Sequence, residues 1–374
     1  MPQTLTAARL HTASKVWLNP VITIDDDGRI VAIESAPSSD TDTILTPTFL
    51  DIHIHGAVNH DVMEATPEAL AAVSHFLASK GVSHFLPTTV TAAIDPTLRA
   101  LDGIAFTIEA THHAGAIPLG IHLEGPFVSH IKRGVHPPEH ILPPDIALFD
   151  RLQQAARGHI KLLTIAPEIP GALALIHHVT LQGVKVSLGH SNATAAETRA
   201  AIVAGAASAT HTFNAMRALD HREPGILGVV LDDEDLFAEI IADGIHVAPE
   251  LIRLFLKAKG LNKAILITDG MSATGMPDGT YMLGGFKVEV ANGRCLANGV
   301  LAGSVLTLDR AVANFARYTG TPFAEVTRLA SHNPAAMLGL EVQLALTPGQ
   351  PANFNRYTPD GTLEATILNG RQIL

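Results

Sequence analysis

Cysteine is nearly missing from this chain. Cys295 is the single one in 374 residues, so no internal disulfide can form, and the composition fits a reducing cytoplasm. Aromatic residues are scarce at 5%, with one tryptophan and three tyrosines. Aliphatic side chains and alanine must therefore do most of the packing within an apolar share of 47%. No uninterrupted apolar run approaches the ~20 residues of a membrane span, and the N-terminus lacks the charged-then-apolar pattern of a secretion signal. Basic tracts are missing too. With 25 basic against 36 acidic residues the formal charge is −11, which argues against a nucleic-acid or anionic-membrane partner. The expectation is a soluble cytoplasmic protein.

Histidine, in contrast, is plentiful, at 20 residues. The first telling group is Asp51-Ile52-His53-Ile54-His55-Gly56, where an apolar run ends in two histidines with one residue between them. Side chains alternate faces along an extended chain, so His53 and His55 point the same way. Two imidazoles on one rigid strand are a ready pair of metal ligands, and Gly56 lets the chain turn away close to a bound group.

The chain before residue 46 reads as short strands, including a hairpin in which Asp25-Asp26-Asp27-Gly28-Arg29 is the turn. A regular alternation of apolar strand and alanine-rich helix follows. Strand candidates are residues 49–55, 82–90, 117–124, 160–167, 184–190, 208–213, 237–246 and 264–269. Helices are expected between them, for example over 67–80, 193–204 and 249–259, with Thr66-Pro67 and Asn192 to Thr194 as starts and Gly81, Gly205 and Gly260 as stops. This rhythm implies an α/β fold, a (β/α)8 TIM-like barrel over residues 47–339. The turn-rich stretch 277–299 reads as a hairpin insertion after the eighth strand. Residues 1–46 and 340–374 are each too small to bury a core and are expected to pair into a small β-sandwich domain.

Barrels of this kind carry their chemistry at the C-terminal ends of the strands. There this sequence places His53 and His55, Glu124, His190, His211, the segment Asp243-Gly244-Ile245-His246, and Asp269. These are N and O donors without cysteine, a set that suits Zn2+ or Fe2+ with a position open to water. Glu124, His190 and His211 supply three ligands for one ion; His53 and His55, with Glu124 or Asp269, could hold a second. A metal lowers the pKa of bound water from about 16 to about 7. Asp269 then suits the role of general base and acid, taking the water's proton and passing it to a leaving amine. That chemistry is hydrolysis of an amide-like bond.

Several further stretches carry a resemblance: His122-Leu123-Glu124-Gly125-Pro126-Phe127, Gly189-His190-Ser191-Asn192-Ala193-Thr194, Thr210-His211 through Asn214-Ala215-Met216, Ile241 through Val247, Thr268-Asp269 and Leu301-Ala302-Gly303-Ser304. Over essentially its whole length the chain resembles the amidohydrolase superfamily, and within it the family of N-acetylglucosamine-6-phosphate deacetylases. The resemblance implies metal-dependent hydrolysis of N-acetyl-D-glucosamine 6-phosphate to D-glucosamine 6-phosphate and acetate, with one or two divalent ions per subunit, zinc first and ferrous iron second. Some relatives bridge two metals with a carboxylated lysine from the fourth strand. Ala166-Pro167-Glu168 offers no lysine there, and Glu124 is implied to fill that role.

The resemblance also implies substrate groups. Arg222 matches a phosphate-binding arginine that reaches across a homodimer interface, and His246 a partner that contacts the sugar phosphate. His136, beside Val135, matches a group near the acetyl carbonyl. Backbone at Asn214, Ala215, Leu301, Ala302 and Gly303 would line the sugar. The alternatives are a deacetylase of another N-acetylated amino sugar phosphate, a cyclic-amide amidohydrolase, or a barrel that kept the fold without the chemistry. His122 shares the face of Glu124 and could touch the site. Glu168 reads as a structural hydrogen-bond group, and His75, His84, His112, His113, His177 and His178 as surface or core residues.

Overall fold

The structure, a computed structural model, describes residues 3–110, 115–342 and 344–373; His112 and His113 lie outside them. Eight parallel strands form the barrel, here β1 Phe49–Ile54, β2 Val82–Thr89, β3 Ile121–Glu124, β4 Ile160–Ile165, β5 Lys185–Leu188, β6 Ser208–Ala209, β7 Phe237–Ile241 and β8 Ala264–Ile267. Each pairs with the next in sequence order, and a parallel bridge between Ile54 and Gly270 nearly closes the ring from β8 back to β1. Helices α1 Pro67–Ala78, α2 Ile94–Ile108, α3 Ile146–Ala155, α4 Ala172–Leu181, α5 Ala195–Ala204, α6 Gly225–Asp232 and α7 Pro249–Lys263 connect the strands, and α8 Leu308–Thr319 completes the outer layer.

Local chemistry sets these boundaries. Thr66 caps α1 by accepting from Ala69 N, with Pro67 in the first turn. Thr194 and Glu197 form a reciprocal capping box at α5. The strands carry buried aliphatics such as Leu163, Val186, Ile240 and Leu266, which make the helix-facing side of the sheet apolar, while the inward face carries buried polar groups such as Asp51, His122, Thr164, Ser187 and Glu239.

Three details depart from the sequence expectations. Strands β5, β6 and β7 end at Leu188, Ala209 and Ile241, short of residues 190, 213 and 246. At His190, His211 and Phe213 the backbone swings to φ 46°, 29° and 80°, which ends the extended ladder. Gly260 was expected to stop α7; it breaks the helix at φ 61°, ψ −177°, and a further turn runs on to Lys263. The insertion is larger than one hairpin. Four antiparallel strands, Gly279–Leu283, Phe286–Ala291, Arg294–Ala297 and Val300–Leu301, stack over the barrel on a core of Met271, Leu283, Val288 and Cys295.

The two chain ends meet in a separate pair of sheets. One is built from Gln3–Thr6, Pro20–Ile24 and Ile30–Ser35; the other runs from Arg371–Ile373 through Leu363–Leu368, Phe354–Tyr357 and Ile44–Pro47 to Arg9–His11 and Val16–Leu18. Ile22, Ile24, Leu45 and Phe354 lie buried between them. Gly81 ties this unit to β1. Its carbonyl accepts from Phe49 N at 2.8 Å and from the buried Asn355 Nδ2 at 2.9 Å. Gly81 sits at φ +86°, and an added Cβ would fall 2.7 Å from Asn355 Nδ2 and 3.0 Å from the Phe49 ring. Gly81→Ala should therefore cost on the order of 2 kcal/mol from left-handed strain and overpacking, read as a lowered denaturation midpoint; an unchanged midpoint would contradict this reading of the junction.

Candidate metal and active site

Five strand ends deliver ionisable groups to the C-terminal mouth of the barrel: His53 and His55 from β1, Glu124 from β3, and His190, His211 and Asp269 just beyond β5, β6 and β8. All six side chains are buried. They form two groups, His53, His55 and Asp269 in one and Glu124, His190 and His211 in the other, with the donor atoms of each group within 4.8 Å of one another.

Glu124 faces both groups. Its Oε2 lies 3.5 Å from His53 Nε2 and 3.2 Å from His55 Nε2, while its Oε1 lies 3.3 Å from both His190 Nε2 and His211 Nε2. Asp269 Oδ1 stands 3.5 Å and 3.2 Å from the same two β1 nitrogens. Outer acceptors set three of the tautomers. His55 Nδ1 donates to Thr88 O and His190 Nδ1 to Lys132 O, both at 3.0 Å, and His53 Nδ1 donates to Glu239 Oε2 at 3.2 Å. A proton held on Nδ1 leaves the Nε2 lone pair turned inward, the form a metal ligand needs.

Two of these inward atoms, His53 Nε2 and Glu124 Oε1, are buried without a hydrogen bond. His211 Nε2 faces His190 Nε2 at 3.0 Å. Orphaned nitrogen and oxygen atoms converging on one space fit a divalent cation, so the residues present suit the metal that the donor set implies.

The charges agree with this fit. Burial disfavours an imidazolium at His55, but the carboxylates of Asp269 and Glu124 outweigh it and hold its pKa up at about 9. His53 is likewise pushed well up against the pull of burial, by Glu124 and Asp269. Against their own burial, Glu124 and Asp269 are held well below the usual carboxylate range, His53 being the largest cause in each case. Backbone strain gathers at the same place. His190, His211 and Asp269 are non-glycine residues at φ 46°, 29° and 50°, a conformation that costs of order 1–3 kcal/mol each unless the surroundings enforce it. Here Asp269 N donates to His53 O at 2.9 Å, and Ser304 N donates to Asp269 O at 2.7 Å.

Beside the two ligand groups lies a cavity of about 220 Å³, reached by Val135, His136, Asn214, Ala215, His246, Leu301 and Gly303 as well as by His55, Glu124, His190, His211 and Asp269. His136 Nδ1 bonds Thr91 Oγ1 at 2.7 Å, and its Nε2 lies 3.9 Å from Glu124 Oε2. Burial, then the neighbouring His190, push the His136 pKa down to about 3, so its ring is neutral. His246 Nδ1 donates to Asp243 Oδ2 at 2.6 Å. Burial opposes its protonation, yet Asp243 raises its pKa overall. A larger cavity of about 520 Å³ lies at the other end of the barrel, among Trp17, Phe49 and Leu346. It holds none of the expected site residues among those described, so the smaller, charged cavity is the site.

An amidohydrolase family model matches residues 44–373. The chain belongs to the amidohydrolase family. It is 41% identical over 358 residues to an N-acetylgalactosamine-6-phosphate deacetylase of Escherichia coli O157:H7, covering 94% of each chain. It is 37% identical to an N-acetylglucosamine-6-phosphate deacetylase of Vibrio furnissii, over 96% of this chain and 92% of that one. Its structure superposes at TM-score 0.93 on a Mycobacterium smegmatis N-acetyl-D-glucosamine-6-phosphate deacetylase variant in complex with N-acetyl-D-glucosamine 6-phosphate, with 33% identity, covering 100% of this chain and 99% of that one.

Within this amidohydrolase two expected substrate residues stand apart from the cavity. Ala302 is buried behind the wall, its N donating to Cys295 O at 3.0 Å. Arg222 is exposed on the loop before α6, where its backbone N donates to Asp220 Oδ1 at 2.8 Å; within one subunit it does not line the cavity. His122 does not reach the cavity either. Its ring bonds Ile52 O at 3.0 Å and Thr164 Oγ1 at 2.7 Å inside the barrel. Glu168 accepts from Ser191 Oγ at 2.8 Å and Asn192 N at 2.6 Å, anchoring the turn that carries His190.

Two buried acids escaped the sequence reading. Asp51 accepts from Thr268 Oγ1 at 2.6 Å and from His53 N at 3.3 Å, and burial lifts its pKa to about 6. Glu239 supports His53. The period-2 spacing of residues 51, 53 and 55 was signal enough for Asp51; for Glu239 it was a single acid in the apolar run Phe237-Ala238-Glu239-Ile240-Ile241.

Because His55 carries a proton below about pH 9 in the ion-free protein, a cation must displace it. Divalent-ion affinity should rise with pH up to about 9, with proton release on binding, measured by titration calorimetry in buffers of different ionisation enthalpy. Uptake without proton release would contradict the assigned protonation. The double variant His53→Ala/His55→Ala should bind one ion fewer than wild type by elemental analysis; an unchanged count would remove the β1 pair from the metal site.

Proposed function

We propose that this amidohydrolase removes the acetyl group from N-acetyl-D-glucosamine 6-phosphate, giving D-glucosamine 6-phosphate and acetate. The observation that carries the reading is Glu124 standing between two histidine groups with Asp269 beside them, at the floor of a cavity closed by His136 and His246. Relatives covering nearly the whole chain and named as deacetylases of N-acetylhexosamine 6-phosphates support it, as does the neighbour solved with that compound. We take the ions to be zinc, with ferrous iron the next candidate, one in each group of ligands.

When bound, a divalent ion lowers the pKa of water toward neutrality and polarises a carbonyl oxygen. The chain's own groups do the remaining work. Asp269, kept ionised by the adjacent imidazoles, accepts the proton of the attacking water as the new C–O bond forms at the acetyl carbon. It then delivers that proton to the nitrogen as the C–N bond breaks, so that amine and acetate leave with atoms and charge balanced. His136 turns its Nε2 toward the acetyl oxygen; with Thr91 donating to Nδ1, Nε2 carries a proton and steadies the developing oxyanion. Asp243 favours the charged form of His246, which faces the sugar phosphate, and Val135, Asn214, Ala215, Leu301 and Gly303 wall the sugar. Arg222, exposed in the single subunit, reaches the phosphate of a neighbouring site in a homodimer, where its planar fork matches a phosphate bidentately.

A second reading has its own support. The relative at 41% identity is named for the galacto substrate, which differs only in configuration at C4. Acetate release should be measured on gluco and galacto N-acetylamines with and without the 6-phosphate. A gluco-phosphate preference supports the first reading, and a galacto-phosphate preference replaces it with the second. Asp269→Asn should keep the ion held by Glu124, His190 and His211 and lose roughly a thousandfold in kcat; near-normal turnover would refute the assigned role. Arg222→Ala should raise KM roughly ten- to a hundredfold for phosphorylated substrates and leave unphosphorylated ones unchanged; equal effects on both would remove it from phosphate binding.

A further inference from the structure

Glu239 is a fully buried carboxylate in the middle of β7, beneath the metal groups. Its Oε2 receives two donors. One is His53 Nδ1 at 3.2 Å, and the other is the backbone N of His211 at 3.2 Å. Its Oε1 is buried with no partner. A carboxylate placed so deeply with half its acceptor capacity unused is costly for a fold, and no part of the proposed hydrolysis uses it directly.

We propose that Glu239 is a positioning residue that sets whether the His53, His55 and Asp269 group holds an ion; this inference rests on the two-ion reading of the site. Two arguments support it. The first is orientation: His53 can offer its Nε2 lone pair only while Nδ1 keeps its proton, and Glu239 is the acceptor that holds that proton. An ionised acceptor also makes the imidazole more basic and hence a stronger ligand. Through the His211 amide the same oxygen grips a residue at φ 29°, so one carboxylate ties together one ligand from each group.

The second argument is charge. Glu124 and Asp269 bring two negative charges to the ligand atoms, enough to balance one divalent ion. Asp51 and Glu239 place two further carboxyl groups directly behind His53. A second dication in a site this dry needs such compensation, and Glu239 supplies it without occupying a coordination position.

The test is metal titration of ion-free protein with Zn2+ against a chromogenic chelator, for wild type, Glu239→Gln, His53→Ala and the double variant, with far-ultraviolet circular dichroism as the folding control. Wild type should bind two equivalents. Glu239→Gln keeps the side chain's size and one acceptor while removing the charge; it should keep one equivalent near wild-type affinity and bind the second 10–100-fold more weakly. In the His53→Ala background the same substitution should weaken the second ion clearly less than it does in wild type, because the contact through His53 Nδ1 is gone and only the His211 contact and the charge remain.

Two equivalents bound equally tightly by Glu239→Gln would overturn the proposal, and so would equal weakening of both ions. A wild type that binds one equivalent overturns the two-ion reading itself, a distinguishable outcome. Should Glu239→Gln fold poorly, imidazole 15N shifts of zinc-loaded wild type decide. His53 protonated at Nδ1 and ligating through Nε2 supports the role, and ligation through Nδ1 ends it.

Discussion

The site depends on one carboxylate facing two ways. Glu124 presents Oε1 to His190 and His211 and Oε2 to His53 and His55, and it can do so only because it ends a short strand buried within the barrel wall. Much of the surrounding structure serves that placement. β3 is held on both sides by β2 and β4. The left-handed backbone at His190, His211 and Asp269 swings three further donors inward, and this strain is tolerated because hydrogen bonds from neighbouring strand ends fix each turn. Cations bound there would repay a local energetic deficit of unpartnered, buried N and O atoms.

The elements above the barrel complete the chemistry. The four-stranded insertion and Leu301–Ser304 close the cavity from one side, and Ser304 is bonded to the backbone of both Thr268 and Asp269. The wall that lines the cavity and the strand end that carries Asp269 are thus one rigid assembly. His136 and His246 stand at the rim with opposite electrostatic settings. Burial keeps His136 neutral, whereas Asp243 favours the charged form of His246. On the proposed reading the neutral His136 would serve the acetyl carbonyl, and His246, inclined toward its charged form, the phosphate.

Much of this was legible in the sequence, for identifiable reasons. The barrel could be read because its strands are rich in aliphatics and its helices carry plain starts at Thr66-Pro67 and Thr194. The candidate ligands could be read because barrel chemistry collects at strand ends, where His53, His55, Glu124 and Asp269 sit. Side chains that act from behind were harder. Glu239 lies mid-strand, a position that by default means packing, and only its hydrogen bonds to His53 and His211 reveal a purpose. Ala302 was implied by the resemblance as part of the backbone lining the sugar, but its side chain is buried in the cluster with Met271 and Cys295, away from the cavity. Arg222 shows the limit of a single chain: its sequence context points to phosphate, while its position in one subunit is on the surface. The third β-strand of the insertion and the pairing of Val300–Leu301 were hidden by turn-rich composition, which marks chain reversals without fixing how many strands pair between them.

The most direct test is to titrate ion-free Glu124→Gln with Zn2+ beside wild type. If Glu124 is the shared support of both groups, the folded variant should lose tight binding at both sites together. Retention of one equivalent at wild-type affinity by the His53, His55 and Asp269 group would contradict the account.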